Sequence, residues 1–405
     1  MRVCYFGTYS LEEGYPRNRV IIEGLRRNGV DVVECHEDLW EGTSDKLAGI
    51  QDGLSIIKKL LRILHVYIKL IRKYRSIGNY DAIIVGYAGH IDVFLAKILN
   101  LFRRKPLILD VFLSLYDTAV VDRKIVSAGS VKAKLLHLID TWSCRIADAV
   151  LLDTPAHIDY FVKEFRLPAG KFYAIPVGSS LKMNGFSQIH AGKDNRFNVL
   201  YFGSYIPLHG VDVILKAAKI LQDKYRGLET QFSGENYPPL QGEGMGGDGL
   251  FQEAGKVVFT LVGTGQLLPE MKGLASRLGL KNVSFVDRFV KEEELSGFII
   301  NADICLGIFG KSDKALRIIP CKVYNCLAFA KPLITARTIA TDGVLTHNEN
   351  VCFCSPGDPQ SLAEAIITLR NDDSLRNKLA QNGLEYYNRN FSTDSIGRKV
   401  AQIIS

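Results

Sequence analysis

Residues 2–10 read "RVCYFGTYS" and residues 196–206 read "RFNVLYFGSYI", so nearly the same five residues occur at Tyr5–Tyr9 and again at Tyr201–Tyr205. In each copy an apolar run ends in a glycine and small residues. A helical pattern follows each, "NRVIIEGLRRNGVDVV" after the first and "HGVDVILKAAKILQDKY" after the second. A buried strand, a glycine turn and an amphipathic helix form the opening unit of a Rossmann-like half. Copies at the start and near the middle predict two such halves in series.

Outward from these copies the alternation continues. The first half offers "VDVVECH", "DAIIVGYAG", "KPLILDVFLS", "DAVLLDT" and "KFYAIPVG" between helical patterns. The second offers "KVVFTLVGTG", "NVSFVDRF", "DICLGIF", "KPLITA" and "VCFCSP". These runs are continuously apolar rather than alternating, which suits parallel sheets covered on both faces. The expected fold is α/β, two Rossmann-like domains facing each other across a cleft. The expected boundaries are 1–190 and 191–390, with a tail, 391–405, returning toward the N-terminal domain. The polar stretch Ser187–Asn198 reads as a linker and the Gly-rich stretch Ser233–Lys256 as a surface insertion. The latter ends in Gly-Lys, but it lacks the P-loop spacing and a strand follows it.

A chain of 405 residues with 47% apolar content suits two cores of about 200 residues each. The opening "MRVCYF" enters a strand directly, without the features of a signal peptide. No run of about 18 residues escapes charge. A soluble, cytoplasmic protein is expected. None of the eight cysteines forms a CxxC pair, which fits free thiols in a reducing compartment. The net charge is +7. Leu54–Arg75 holds seven Lys and Arg and no acid, with its polar positions on one helical face. That pattern fits an interfacial helix on anionic lipid, or a surface helix packed on its own sheet. No recognition module for nucleic acid accompanies the charge.

Three stretches of the second half carry candidate chemistry. Gly203–Gly210, "GSYIPLHG", is a tight loop before a helix, whose glycines let backbone N–H groups approach an anion; Ser204 and His209 add donors. Val262–Gln266, "VGTGQ", is a two-glycine turn through Gly263 and Gly265, and serves either a ligand or packing. Gly310–Ala336 sets Lys311, Lys314, Arg317 and Lys322 before a helix, a charge that suits a diphosphate. Asn325 follows Lys322 by one helical turn.

The segment "PCKVYNCLAFAKPLITA" resembles "P-x-K-x-Y-E-x-L-A-x-G-K-P-V-I" of the retaining glycosyltransferases with the GT-B fold, family four. The likeness extends through "YFGSYIPLHGVDVILKAA", "LVGTGQLLPEMKGLASRLGLKNVSFVDRF" and "EEELSGFIINADICLGIF" to "GLEYYNRNFS". It implies a nucleotide-sugar donor in the second domain, with its phosphates at Gly203–Gly210 and near Arg317 and Lys322. The base would lie near Val262–Gln266 and the turn at Val286–Phe289, which includes Arg288 and Phe289. The first domain would hold the acceptor, with Glu12–Asn18 closing over it and Gly14, Tyr15, Arg17 and Asn18 in contact, and Asp117 beside them.

The departures are specific. Where the family has two Glu separated by seven residues, this chain has Arg317 and Asn325. Phe112 stands close to the place of a family His, leaving His90, Asp110 and Asp117 as the nearest polar groups. With no DxD motif, no obligatory metal and no cofactor beyond the donor are expected. Arg317 and Lys322 would then stabilise the leaving diphosphate, with His90 and Asp110 as further catalytic candidates. The expected function is retaining transfer of a sugar to a lipid-linked or surface-glycan acceptor, at the membrane through Leu54–Arg75. The alternatives are a sugar-nucleotide epimerase and a catalytically weak relative that supports a partner transferase.

Overall fold

The computed structural model describes residues 1–39, 53–181, 196–232 and 257–405, and the side chains of 53–60 and 225–232 fall outside that description. The insertion at Ser233–Lys256 and most of the linker at Ser187–Asn198 lie outside the described residues. The chain divides into two compact units. Met1–Ser180, Arg317–Cys321 and Asn388–Ser405 form the first; Leu181–Leu316 and Lys322–Tyr387 form the second.

The first unit is built on β1 (Arg2–Gly7), β2 (Asp31–His36), β3 (Ala82–Val85), β4 (Leu107–Asp110), β5 (Ala149–Leu152) and β6 (Phe172–Ala174). They pair in parallel in the order β2-β1-β3-β4-β5-β6, with Phe6 opposite Cys35 on one side and Val85 on the other. Successive side chains of a strand point to opposite faces, and β1 feeds two cores accordingly. Cys4 and Phe6 join the core under α2 (Gly53–Ser76), α3 (Asp92–Asn100), α4 (Val131–Ile146) and α5 (Pro155–Phe165). Val3 and Tyr5 join the core under α1 (Pro16–Arg27). Ser130 and Thr154 cap α4 and α5 by accepting from the N–H groups of Ala133 and His157.

The second unit is built on β7 (Phe197–Phe202), β8 (Val257–Val262), β9 (Val283–Val286), β10 (Ile304–Leu306), β11 (Leu333–Ala336) and β12 (Cys352–Cys354). The parallel order is β12-β11-β10-β7-β8-β9. Its helices are α6 (Val211–Phe232), α7 (Leu268–Arg277), α8 (Glu292–Asn301), α9 (Asp313–Arg317), α10 (Cys321–Ala328), α11 (Pro359–Asn371) and α12 (Asp373–Asn390), with the last residues of α9 and α12 and the first of α10 counted to the first unit. Ile214 and Leu215 of α6 and Leu362 and Ile366 of α11 share its core with Phe259 and Leu306. The strand order reverses between β7 and β10. In open parallel sheets a ligand binds outside the carboxyl ends of the strands at such a reversal.

The last helix, α13 (Thr393–Ile404), returns to the first unit and packs on α1. The approach is backbone to backbone. A methyl group built on Gly397 would stand 2.0 Å from the carbonyl carbon of Gly24, so neither position tolerates a side chain.

Candidate active site

The loops after β7 and β10 flank the reversal in the second unit. Gly210, at φ +64°, lies so close to the second loop that a Cβ there would meet the Gly310 nitrogen at 2.5 Å. Phe309 N–H donates to His209 O at 3.1 Å and joins the two loops. Gly263 (φ +135°) and Gly265 (φ +156°) sit against the backbone of Gly203 and Tyr205 in the same way. Tyr205 N–H donates to Thr264 O at 3.0 Å. Of the two readings of Val262–Gln266, packing accounts for both glycines.

Into this glycine frame α10 sends Lys322, which is 2% exposed. Its ammonium lies 4.0 Å from the centre of the Tyr201 ring, 3.5 Å from His209 Nδ1, and in the space that a side chain on Gly203 would take, 2.9 Å from the would-be Cβ. Tyr201 OH donates to Ser204 O at 2.9 Å, and His209 Nδ1 faces the same carbonyl. That acceptor assigns the proton to Nδ1. Burial holds the His209 pKa well below the usual 6.5, the Lys322 charge lowers it further, and the Ser204 carbonyl opposes both. The imidazole is therefore neutral, and the positive charge of the cradle resides on Lys322. A buried ammonium beside the glycine turn at the end of β7 is suited to an anion. Asn325, 7% exposed, follows Lys322 on α10.

The equivalent glycine of the first copy meets the opposite charge. At Gly7, φ is +130° against +136° at Gly203. A Cβ there would stand 2.7 Å from Asp92 Oδ2. Thr8 donates to that oxygen through its N–H (2.6 Å) and its hydroxyl (2.9 Å), and Tyr67 OH donates to Oδ1 at 2.6 Å. The first copy is filled by its own carboxylate.

The remaining predicted positions separate. Arg17 and Asn18 do not belong to a loop that closes over an acceptor: α1 begins at Pro16, and both are buried. Arg17 Nε donates to both oxygens of Asp110 at 2.8 Å, its Nη1 donates to Ile175 O, and its guanidinium covers Phe112 at 4.8 Å. Burial pushes the Asp110 carboxyl up, and Arg17 pulls it back. Asn18 accepts from Tyr5 OH and Tyr87 N–H and donates to Ser10 O and Tyr87 O. Gly14 and Tyr15 of that segment are exposed. His90 is buried, with Nε2 donating to Leu113 O at 3.0 Å. Phe112 holds a left-handed backbone, φ +55°, at the end of β4.

The expected convergence of Lys311, Lys314, Arg317 and Lys322 is also corrected. Arg317 belongs to the first unit, where Nη2 donates to Asp117 Oδ1 at 3.0 Å and the guanidinium lies 3.9 Å from the Tyr160 ring centre. Thr154 Oγ1 donates to the Arg317 carbonyl at 2.5 Å. Lys314 is buried and Lys311 is exposed beside Gly357. A carboxylate 200 residues away in sequence takes the guanidinium, and no local spacing predicts that. Arg288 pairs with Glu294 on the surface, and Phe289 is exposed.

Two six-stranded parallel sheets, each with its own helices, define the GT-B class of glycosyltransferase fold. Residues 184–386 match the family described as "Glycosyl transferases group 1", and the chain belongs to that family. The O-antigen chain mannosyltransferase C of Escherichia coli is 26% identical over 144 residues, which is 35% of this chain and 38% of that protein. Among solved structures, HepE of Anabaena, in complex with UDP, has a TM-score of 0.61 at 16% identity over 99% of both chains. Sucrose-phosphate synthase of Thermosynechococcus elongatus has a TM-score of 0.64 at 15% identity, over 99% of this chain and 97% of that one.

Proposed function

We propose that the chain moves a sugar with retention of configuration from a nucleotide-sugar donor to a lipid-linked or surface-glycan acceptor, without an obligatory metal. The observation that carries the donor half is Lys322, held in the Gly203 cradle at the strand reversal. Retaining transfer builds positive charge on the sugar and negative charge on the departing diphosphate. A preorganised ammonium, already desolvated, favours that charge separation. Neutral His209 adds no second charge, and its bond to Ser204 holds the loop in place for the phosphate.

The likenesses support the choice of partners. HepE has been solved with UDP, with UDP and glucose, and with UDP-glucose, which supports a nucleotide-sugar donor here. The name of the Escherichia coli relative supports a glycan acceptor. Arg317, bound to Asp117, is assigned no step. The basic helix α2 supports a place on the inner face of a membrane, and among the described residues no helix is long and apolar enough to cross one.

The test is a thermal-shift series with UDP, GDP, ADP and their sugars, with and without EDTA, on the native chain and Lys322→Met. One nucleotide should raise the unfolding midpoint by several degrees regardless of EDTA. The variant should lose most of that shift, with turnover about 10²–10³-fold lower. Equal turnover in the variant would remove Lys322 from the mechanism. The anomer of the product, read by NMR, decides retention. Nucleotide binding without turnover in the native chain would favour the catalytically weak relative, whose motivation is the neutral Asn325 and the engaged Arg317.

A further inference from the structure

The helix α4 carries its apolar stripe on the wrong side. Val131, Leu135, Leu138 and Trp142 follow at helical steps of four, three and four, yet they are 82, 54, 52 and 46% exposed. Its buried residues are Ala133, Asp140, Thr141, Ser143 and Cys144. A stripe of this spacing ordinarily packs on a core. Here Asp140 fixes the rotation of the helix, because its carboxylate accepts from Ser114 Oγ (2.7 Å), Leu115 N–H (3.1 Å) and Tyr116 N–H (2.9 Å).

The neighbouring helix α3 also carries exposed apolar residues. It packs on α4 and leads into Phe102; Ile98 is 61% exposed and Phe102 is 96% exposed. Lys97 lies 3.9 Å from Asp148, just past α4, so the two helices end near each other. Of the 19 large exposed hydrophobic side chains among the described residues, only Phe289 and Ile339 belong to the second unit. Apolar exposure is therefore localised, not general. Positive charge accompanies it. Residues 61–148 hold fourteen Lys and Arg and no Glu, and five of their seven Asp are buried.

We propose that α3 and α4 together form the seat of this protein on an anionic lipid bilayer. Trp142 and Phe102 enter the headgroup region, and Lys132, Lys134 and Arg145 meet the lipid phosphates. A second copy of the chain would cover the stripe equally well, but a two-fold contact would set Lys132 and Lys134 against the same cationic patch. The bilayer satisfies both the apolar stripe and the charge. The proposal deepens the membrane reading above and shifts the contact from α2 to α3 and α4.

The test is co-sedimentation of the full chain with vesicles of phosphatidylcholine alone or mixed with phosphatidylglycerol. The native chain should pellet with the mixed vesicles, and Leu138→Ser with Trp142→Ser should bind about tenfold more weakly. In a Trp40→Phe background, Trp142 emission should shift to the blue and be quenched by bromolipid. Release of nucleotide from the donor, without acceptor, should be unchanged in the α4 variant, which separates this inference from the transferase reading. Loss of binding in Leu64→Ser with Ile68→Ser, with the α4 variant binding normally, would overturn the inference and return the contact to α2. A native dimer that the α4 variant converts to monomer, with no pelleting, would overturn it in favour of a second copy.

Discussion

His209 is neutral because it is buried beside an ammonium, and that has a pH signature. Above about pH 6.5, the usual imidazole value, it is uncharged in both the folded and the unfolded chain. Below that value the unfolded chain takes up a proton that the folded chain refuses, so stability falls as pH falls. His209→Gln should lose less stability than the native chain between about pH 7 and pH 5 in urea melts. Parallel curves would mean that His209 protonates freely in the fold. The loop and the cation of this site were both legible, since glycines before a helix and a lysine in a helix's first turn are local patterns. No local pattern shows their meeting, because Lys322 and His209 are 113 residues apart; only the family resemblance set both at the donor phosphates. The same limit hid Arg17 with Asp110, separated by 93. A buried pair is chosen by the fold, and a sequence shows only that each half needs a partner.

At the scale of elements, the helices α1 and α13 offer the sharpest test. Gly397→Val must force the two backbones apart, since a Cβ already falls inside van der Waals distance of Gly24. A loss of about 1–3 kcal/mol in denaturant unfolding is expected, with no change in nucleotide affinity. Native stability in the variant would mean that α13 can slide without cost. The strands were legible as apolar runs, and so were the amphipathic helices. Which way a stripe faces was not. The spacing of Val131, Leu135, Leu138 and Trp142 is that of a core face, and only the hydrogen bonds of Asp140 turn it outward. Similarly, α2 buries Val66, Leu70 and Tyr74 while Leu61, Leu64 and Ile68 remain exposed, a division that periodicity alone leaves open.

On the scale of the molecule, two units with separate cores need not unfold together. Calorimetry should show two transitions, and a nucleotide should raise the one that belongs to the second unit. A single transition that moves as a whole would contradict this. Ending the chain after Tyr387 removes α13 from the first unit and should lower the other transition. The duplication legible in the two YFG strands also bears on counting. Gly7 and Gly203 are equivalent positions, but the Asp92 carboxylate, a built-in anion, stands against one and the Lys322 ammonium against the other. A calorimetric titration with the nucleoside diphosphate should therefore saturate at about one equivalent per chain, although the architecture repeats. The first copy is occupied from within by a ligand that never dissociates.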